Sequence, residues 1–95
     1  MPKTQYTRNE HRVKESPQIT LRGTQVSDAG LGHLQGLTKL EGLELDGTQV
    51  TDVGLVHLQR LTRLKLLGLV GTQVTDDGVI KLQQALPNCV ISHHP

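Results

Sequence analysis

The stretch GTQVSD at residues 23–28 returns as GTQVTD at residues 47–52 and again at 71–76. The step is 24 residues each time, without insertion, and residues 23–46 and 47–70 are identical at 15 of 24 positions. A repeat of this length is typical of solenoid proteins, in which each unit buries its apolar side only against neighbouring units. The period therefore predicts the architecture, although it identifies no partner.

Each repeat has a first half of the form Leu-x-x-Leu-x-Leu, which reads LEGLEL at residues 40–45 and LKLLGL at 64–69. Its alternating leucines predict a short strand. In the first repeat Ser16 replaces the leading leucine, and Ile19 and Leu21 take the paired places. A last strand is expected at residues 89–92. The array is expected to end at His93, which replaces a leucine and is expected to belong, with His94, to a frayed end.

The second half of each repeat predicts a short helix. Serine or threonine followed by aspartate, as at residues 27–28, 51–52 and 75–76, is typical of helix starts, where both side chains are expected to cap free N–H groups. Apolar residues follow at helical spacing, and Pro87 is expected to stop the last helix. Gly30, Gly54 and Gly78 lie inside these helices, where glycine costs about 1 kcal/mol relative to alanine. Their recurrence predicts close packing between neighbouring helices.

This pattern, with Thr24, Thr48 and Thr72 as the small polar residue after the strand, resembles the leucine-rich repeat. The segment LEGLELDGTQVTDVGLVHLQRL looks like the Thr-type repeats of bacteria, including planctomycete-like ones, and is similar to the cysteine-containing repeats of F-box receptors. The resemblance covers residues 16–92 and about three and a half repeats. It implies an α/β solenoid with parallel strands on a concave face, helices on a convex face, and protein recognition through the concave face.

Composition limits the function further. The 95 residues suit one small domain with an aliphatic core, because aromatic content is 1%. A net charge of +1 and the lack of stacking aromatics argue against a nucleic-acid partner. Residues 1–15 are expected to form a polar tail or irregular cap, residues 16–92 the repeat domain, and residues 93–95 the C-terminal end. The absence of a signal-like or membrane-spanning stretch predicts a cytoplasmic chain with no membrane partner.

Four sets of polar residues have a structural explanation that competes with a catalytic or metal-binding one. The threonines are expected to bond backbone groups rather than act as nucleophiles, because no base accompanies them. His33 and His57 lack the carboxylate or thiolate partners of a metal site, the aspartates cap helices, and Cys89 is expected to be an inward thiol. We therefore predict no cofactor, no metal site and no enzyme activity.

The outward positions of the strands vary between repeats while the leucines do not, so they form the predicted partner-binding surface. This set comprises Gln18, Thr20, Arg22, Glu41, Glu44, Asp46, Lys65, Leu66, Val70 and Val90. Leu66, Val70 and Val90 are expected to form a small apolar patch. The leading hypothesis is a non-catalytic protein-interaction module. The alternative is an edge piece of a longer array, or a unit that self-associates through an exposed terminal repeat.

Overall fold

The computed structural model describes residues 17–93, so the predicted tail at 1–15, Ser16 and His94 lie outside the described residues. The fold is α/β, with a four-stranded parallel sheet whose strands alternate with helical segments. The strands are β1 (Gln18–Thr20), β2 (Gly42–Glu44), β3 (Leu66–Gly68) and β4 (Val90–Ser92). The helices are α1 (Asp28–Leu31), α2 (Asp52–Leu55) and α3 (Asp76–Ala85), and 3₁₀ turns at Gly32–Leu34 and Val56–Leu58 extend the first two.

The strands lie in chain order, and every pair is parallel. Ile19 pairs with Leu43, Leu43 with Leu67, and Leu67 with Ile91, so the register advances by the 24 residues of the sequence repeat. We define the first, second and third units as residues 17–40, 41–64 and 65–88, and the fourth, partial unit as residues 89–93. The sheet and its register confirm the predicted α/β class.

The core lies between the sheet and the helical segments, and leucine supplies most of it. Leu43, Leu45, Leu67 and Leu69 are at most 1% exposed. These four alternating leucines therefore face the helices, as the alternation predicted. In the first unit, the equivalent Ile19 is only partly buried and packs against the edge of this cluster. The core is thus densest in the second and third units.

A repeated turn links each of the first three strands to its helix. The hydroxyl of Thr48 donates to the carbonyl of Leu45 at 2.6 Å, and the Thr24 and Thr72 hydroxyls each donate to the carbonyl three residues back at 2.7 Å. Just before each threonine is a glycine with a positive φ, such as Gly47 at 72°, a backbone conformation that glycine adopts without a steric cost. The predicted structural role of the threonines is confirmed.

The last helix differs from the other two. It runs for ten residues and ends at Ala85, two residues before Pro87, which has no N–H to continue the helical bonding. Leu82, Leu86 and Cys89 are buried beneath this longer helix and the turn that follows it. The third unit therefore covers the C-terminal end of the core with more helix than either earlier unit has.

Candidate interaction surface

The strand side chains that point away from the leucines form rows across the sheet, since alternate residues of a strand face opposite sides. The register assembles one row from Gln18, Gly42, Leu66 and Val90, and a second from Thr20, Glu44, Gly68 and Ser92. We call this surface the sheet face. It contains five of the ten predicted partner-binding residues within the strands themselves, while the others flank the strand ends.

Two exposed apolar side chains lie next to each other on the sheet face. Leu66 pairs with Val90 in register, and they are 54% and 63% exposed. Val70 was expected to join them, but it follows the end of β3 and is separated from Leu66 along the strand by Gly68. The apolar part of the surface is therefore the Leu66–Val90 pair.

Asp46 is held by scaffold contacts. Its carboxylate accepts a hydrogen bond from the backbone N–H of Val70 at 3.0 Å and overlies Gly68, where a Cβ would come within 2.6 Å of Oδ1. Arg22 lies beside the same carboxylate, with Nε 3.8 Å from Oδ2. Asp46 thus links the second unit to the third. The sequence alone does not reveal this role, because it depends on Gly68 of the next strand lying beneath the carboxylate.

The remaining predicted charges fall into two groups. Lys65 Nζ lies 3.6 Å from Glu41 Oε1, just before the strands begin, so these two side chains border the sheet face as an ion pair. Glu44 is exposed in the second row, and within residues 17–93 it forms no ion pair. Glu44 is therefore the acidic group that remains available to a partner on this surface.

A shallow depression runs across the sheet face, because two of its positions are glycines. The side chain of Gln18 lies over Gly42, where a Cβ would come within 2.8 Å of Gln18 Cγ. Glu44, Leu66 and Val90 line the depression, whose volume is about 180 Å³. Small-molecule sites usually enclose about 300–1,000 Å³, so this surface suits contact with a macromolecule better than enclosure of a small ligand.

The junctions between units depend on aspartates that sequence reasoning had assigned to their own helices. Asp28 accepts hydrogen bonds from Thr51 of the next unit, at 2.7 Å from the backbone N–H and 2.6 Å from the hydroxyl. Asp52 binds Thr75 in the same way, at 2.8 and 2.5 Å. The predicted capping by these aspartates is wrong, because their carboxylates reach across the junction. The threonines do cap, since Thr51 accepts from the N–H of Val53 at 3.2 Å. The predicted cap by Ser27 is wrong, because its side chain makes no such bond.

These contacts have an electrostatic consequence. The hydrogen bond from the Thr75 hydroxyl, followed by the one from its N–H, lowers the pKa of Asp52 below its ordinary value of 3.8, because both bonds stabilise the ionised carboxylate. They also explain two helix glycines, since a Cβ at Gly54 or Gly78 would overlap the aspartate of the preceding unit. The predicted close packing is confirmed there. At Gly30 the close neighbour is Val26 of the same unit.

His93 does not belong to a frayed end, contrary to expectation. Its side chain is 9% exposed, with Nε2 3.2 Å from the carbonyl of Val74 and Nδ1 3.5 Å from Asp76 Oδ1. The sequence pattern showed only that a leucine was missing at this position. The packed part of the chain therefore extends at least to residue 93.

Within residues 17–93, no group of three or more His, Cys, Asp or Glu side chains could hold a metal ion. The ring of His57 packs over Gly32 of the preceding unit, 3.7 Å from where a Cβ would stand. Cys89 is buried, as predicted, and this burial raises the pKa of its thiol.

Comparison with known proteins adds no family. No model of a protein family matches the chain, and no curated protein matches it. In the described part of the chain, no helix is both long enough and apolar enough to cross a membrane.

Proposed function

We propose that this chain is a short leucine-rich-repeat solenoid that binds a protein partner through its sheet face, which is concave in this architecture, and performs no catalysis. The observation that carries the proposal is the exposed Leu66–Val90 pair beside Glu44. The proposal retains the predicted short α/β solenoid of about three and a half repeats and its resemblance to bacterial Thr-type repeats.

Three properties of the surface support protein binding. Exposed apolar groups next to a charge are typical of the core and rim of an interface. The backbone beneath them is already fixed by the hydrogen bonds of the parallel sheet, so binding loses little conformational entropy of the backbone. The depression lined by Glu44, Leu66 and Val90 offers a place for a projecting side chain of the partner. Because the sheet face carries no Trp or Tyr, the residue types that dominate strong hot spots, its affinity is expected to be modest.

The test replaces the two exposed groups that define the surface. A Glu44→Lys, Leu66→Glu double variant reverses the charge and removes the apolar anchor, while both side chains point away from the core. Proteins retained from a cell extract by the immobilised wild-type chain are identified, purified and titrated against each chain. We expect the double variant to lower affinity by at least about tenfold, the effect of losing one interface contact of about 1.4 kcal/mol.

A matched control makes the same kinds of change on the helical side. Asp77→Lys with Val56→Glu also replaces one acid by lysine and one exposed aliphatic residue by glutamate. This control should bind like the wild type, with a circular dichroism spectrum unchanged in both variants. A partner that binds the Glu44→Lys, Leu66→Glu variant as tightly as the wild type would show that the sheet face is not the binding surface.

The alternative remains an edge piece of a longer array, or self-association through the first unit. It is favoured by the partial burial of Ile19, Leu21 and Val26, whose equivalents in the second unit are fully buried. A molar mass that rises with concentration would support it over the binding module.

A further inference from the structure

Backbone hydrogen bonds cross each junction between units in both directions, and one set of them runs from donors of the later unit to acceptors of the earlier one. The N–H of Lys65 donates to the carbonyl of Glu41 at 2.8 Å, and the N–H of Gln73 donates to the carbonyl of Val50 at 3.2 Å. Asp52 accepts from Thr75 at the same junction. By the 24-residue step, the corresponding acceptors at the C-terminal edge are Cys89 O, Val74 O and the Asp76 carboxylate.

Gln83 covers the first of these three acceptors. Its Nε2 donates to the carbonyl of Cys89 at 2.8 Å and to the carbonyl of Leu86 at 2.9 Å. Cys89 is the equivalent of Glu41 and Lys65, whose carbonyls each accept from the following strand. A side-chain amide thus takes the place that a fifth strand would use.

His93 contacts the other two acceptors, of which the Asp76 side chain stays 82% exposed. Val74 is the equivalent of Val26 and Val50, whose carbonyls accept from the N–H groups of Gln49 and Gln73, whereas at Val74 the partner is His93 Nε2 at 3.2 Å. Nδ1 of the same ring lies 3.5 Å from Asp76, at the place where the earlier aspartates bind threonine. One imidazole thus contacts two acceptors that a unit stacked beyond β4 would use.

The opposite edge of the sheet has its own obstacle. Pro17 stands in register with Glu41 and Lys65, whose N–H groups donate across their junctions at 2.9 and 2.8 Å. Proline has no N–H, so a strand added outside β1 would miss that bond. Proline at the start of an edge strand is one of the devices by which proteins avoid edge-to-edge pairing.

We infer that stacking of a second copy of this chain is obstructed by Pro17 at the first edge of the described sheet and by Gln83 and His93 at its last. Head-to-tail stacking of identical copies is a heterologous contact, which continues into rings or filaments unless something blocks it. With both edges obstructed, the copies stay separate and the sheet face is left to a different protein, as the proposed function requires.

The test removes the blocks at both edges without adding large apolar side chains. A Pro17→Ala, Gln83→Ala, His93→Ala variant restores an N–H at the first edge and frees Cys89 O, Val74 O and Asp76. The control keeps Pro17→Ala and moves the other two alanines to exposed positions, as Gln84→Ala and His33→Ala. Molar mass is measured by light scattering over a range of concentrations, with circular dichroism on each sample. We expect a single mass for the wild type and the control. The uncapped variant should grow beyond a dimer at concentrations at least about tenfold lower than any at which they associate.

Each other result decides against the inference. A folded uncapped variant that stays monomeric shows that these residues block nothing, and a wild type or control whose mass grows in the same way shows that Gln83 and His93 do not block the last edge. If the triple variant does not fold, a Pro17→Ala, Gln83→Glu variant replaces it, because this carboxylate keeps the size of the side chain but cannot donate to Cys89 O. The same expectation and the same contradiction then apply to that variant.

Discussion

The junction between the second and third units and the edge of the fourth unit present the same acceptors, but different groups fill them. Inside the array, Asp52 binds the backbone N–H and hydroxyl of Thr75. At the edge, the equivalent Asp76 lies beside the ring of His93, and its side chain is 82% exposed. The contacts at an internal junction thus come from residues that recur in every unit, whereas the contact at the edge comes from His93, which does not match the repeat.

This difference shows which contacts hold the fold together and which ones keep copies of the chain apart. The internal contacts recur with the 24-residue step, so a change at one of them should weaken the whole stack, because each unit depends on its neighbours. The contacts at the edge occur once, so a change there should alter association more than folding.

The largest expected effect comes from filling the space at an internal junction. Gly54→Val would drive a side chain into Asp28 and Leu31, and Gly36→Val is the matched control because nothing lies within 4 Å of a Cβ there. Overpacking of this kind typically costs about 1–3 kcal/mol, and we expect the upper end because Asp28 is itself held by Thr51. Urea unfolding measures both variants, and equal stabilities would refute tight packing at the junction.

Removing one carboxylate should have a smaller effect. Asp52→Asn loses the charge-assisted bonds to Thr75, and we expect the free energy of unfolding at pH 7 to fall by about 1 kcal/mol. Asp77→Asn is the control, since Asp77 is exposed in the first turn of α3. A control that is destabilised as much as Asp52→Asn would mean that the effect arises from the helix terminus and not from the junction.

The difference in folding stability between the wild type and Asp52→Asn should also depend on pH. The pKa of Asp52 is lower in the folded state than its ordinary value of 3.8, so the unfolded chain takes up this proton first as pH falls. The stabilisation is complete above about pH 4 and is lost as pH drops through the folded pKa. The stability difference between wild type and Asp52→Asn should therefore shrink below pH 4, and a difference that stays constant to pH 2 would contradict this account.

Much of the fold could be predicted from the sequence, because the residues that determine it recur every 24 positions. The leucine alternation at residues 43–45 and 67–69 predicts buried strand residues, and the recurrence of Gly54 predicts a close approach between helices. The identity of the approaching group could not be predicted, because a serine or threonine followed by aspartate is also an ordinary helix start. Only the neighbouring unit, 24 residues away in the chain, shows that the aspartate reaches across.

The edge was the part that sequence reasoning misread. His93 stands where the repeat has a leucine. The sequence alone does not distinguish a residue that is unpacked there from one that packs against a different partner. The candidate surface was predictable as a set of outward positions, but pairing within it was not, since the contact between Asp46 and the N–H of Val70 requires the register. Leu66 and Val90 were placed correctly because their spacing equals the period.

The smallest perturbation leaves the sequence unchanged and measures how fast Cys89, in the fourth unit, reacts with a maleimide. Cys89 is 4% exposed and burial raises the pKa of its thiol, so the reactive thiolate is both scarce and shielded. We expect a maleimide at pH 8 to label the native chain on the order of a hundredfold more slowly than the denatured chain. Similar rates in the two states would mean that the edge opens readily and that Gln83 and His93 do not hold it.

The most direct measurement is the molar mass of the wild-type chain by light scattering over a wide concentration range, paired with a thermal melt of the same sample. The account predicts a monomer at every concentration and one cooperative transition, because the internal junctions couple the units and both edges of the described sheet are obstructed. A mass that grows with concentration, or a chain without a cooperative transition, would contradict it.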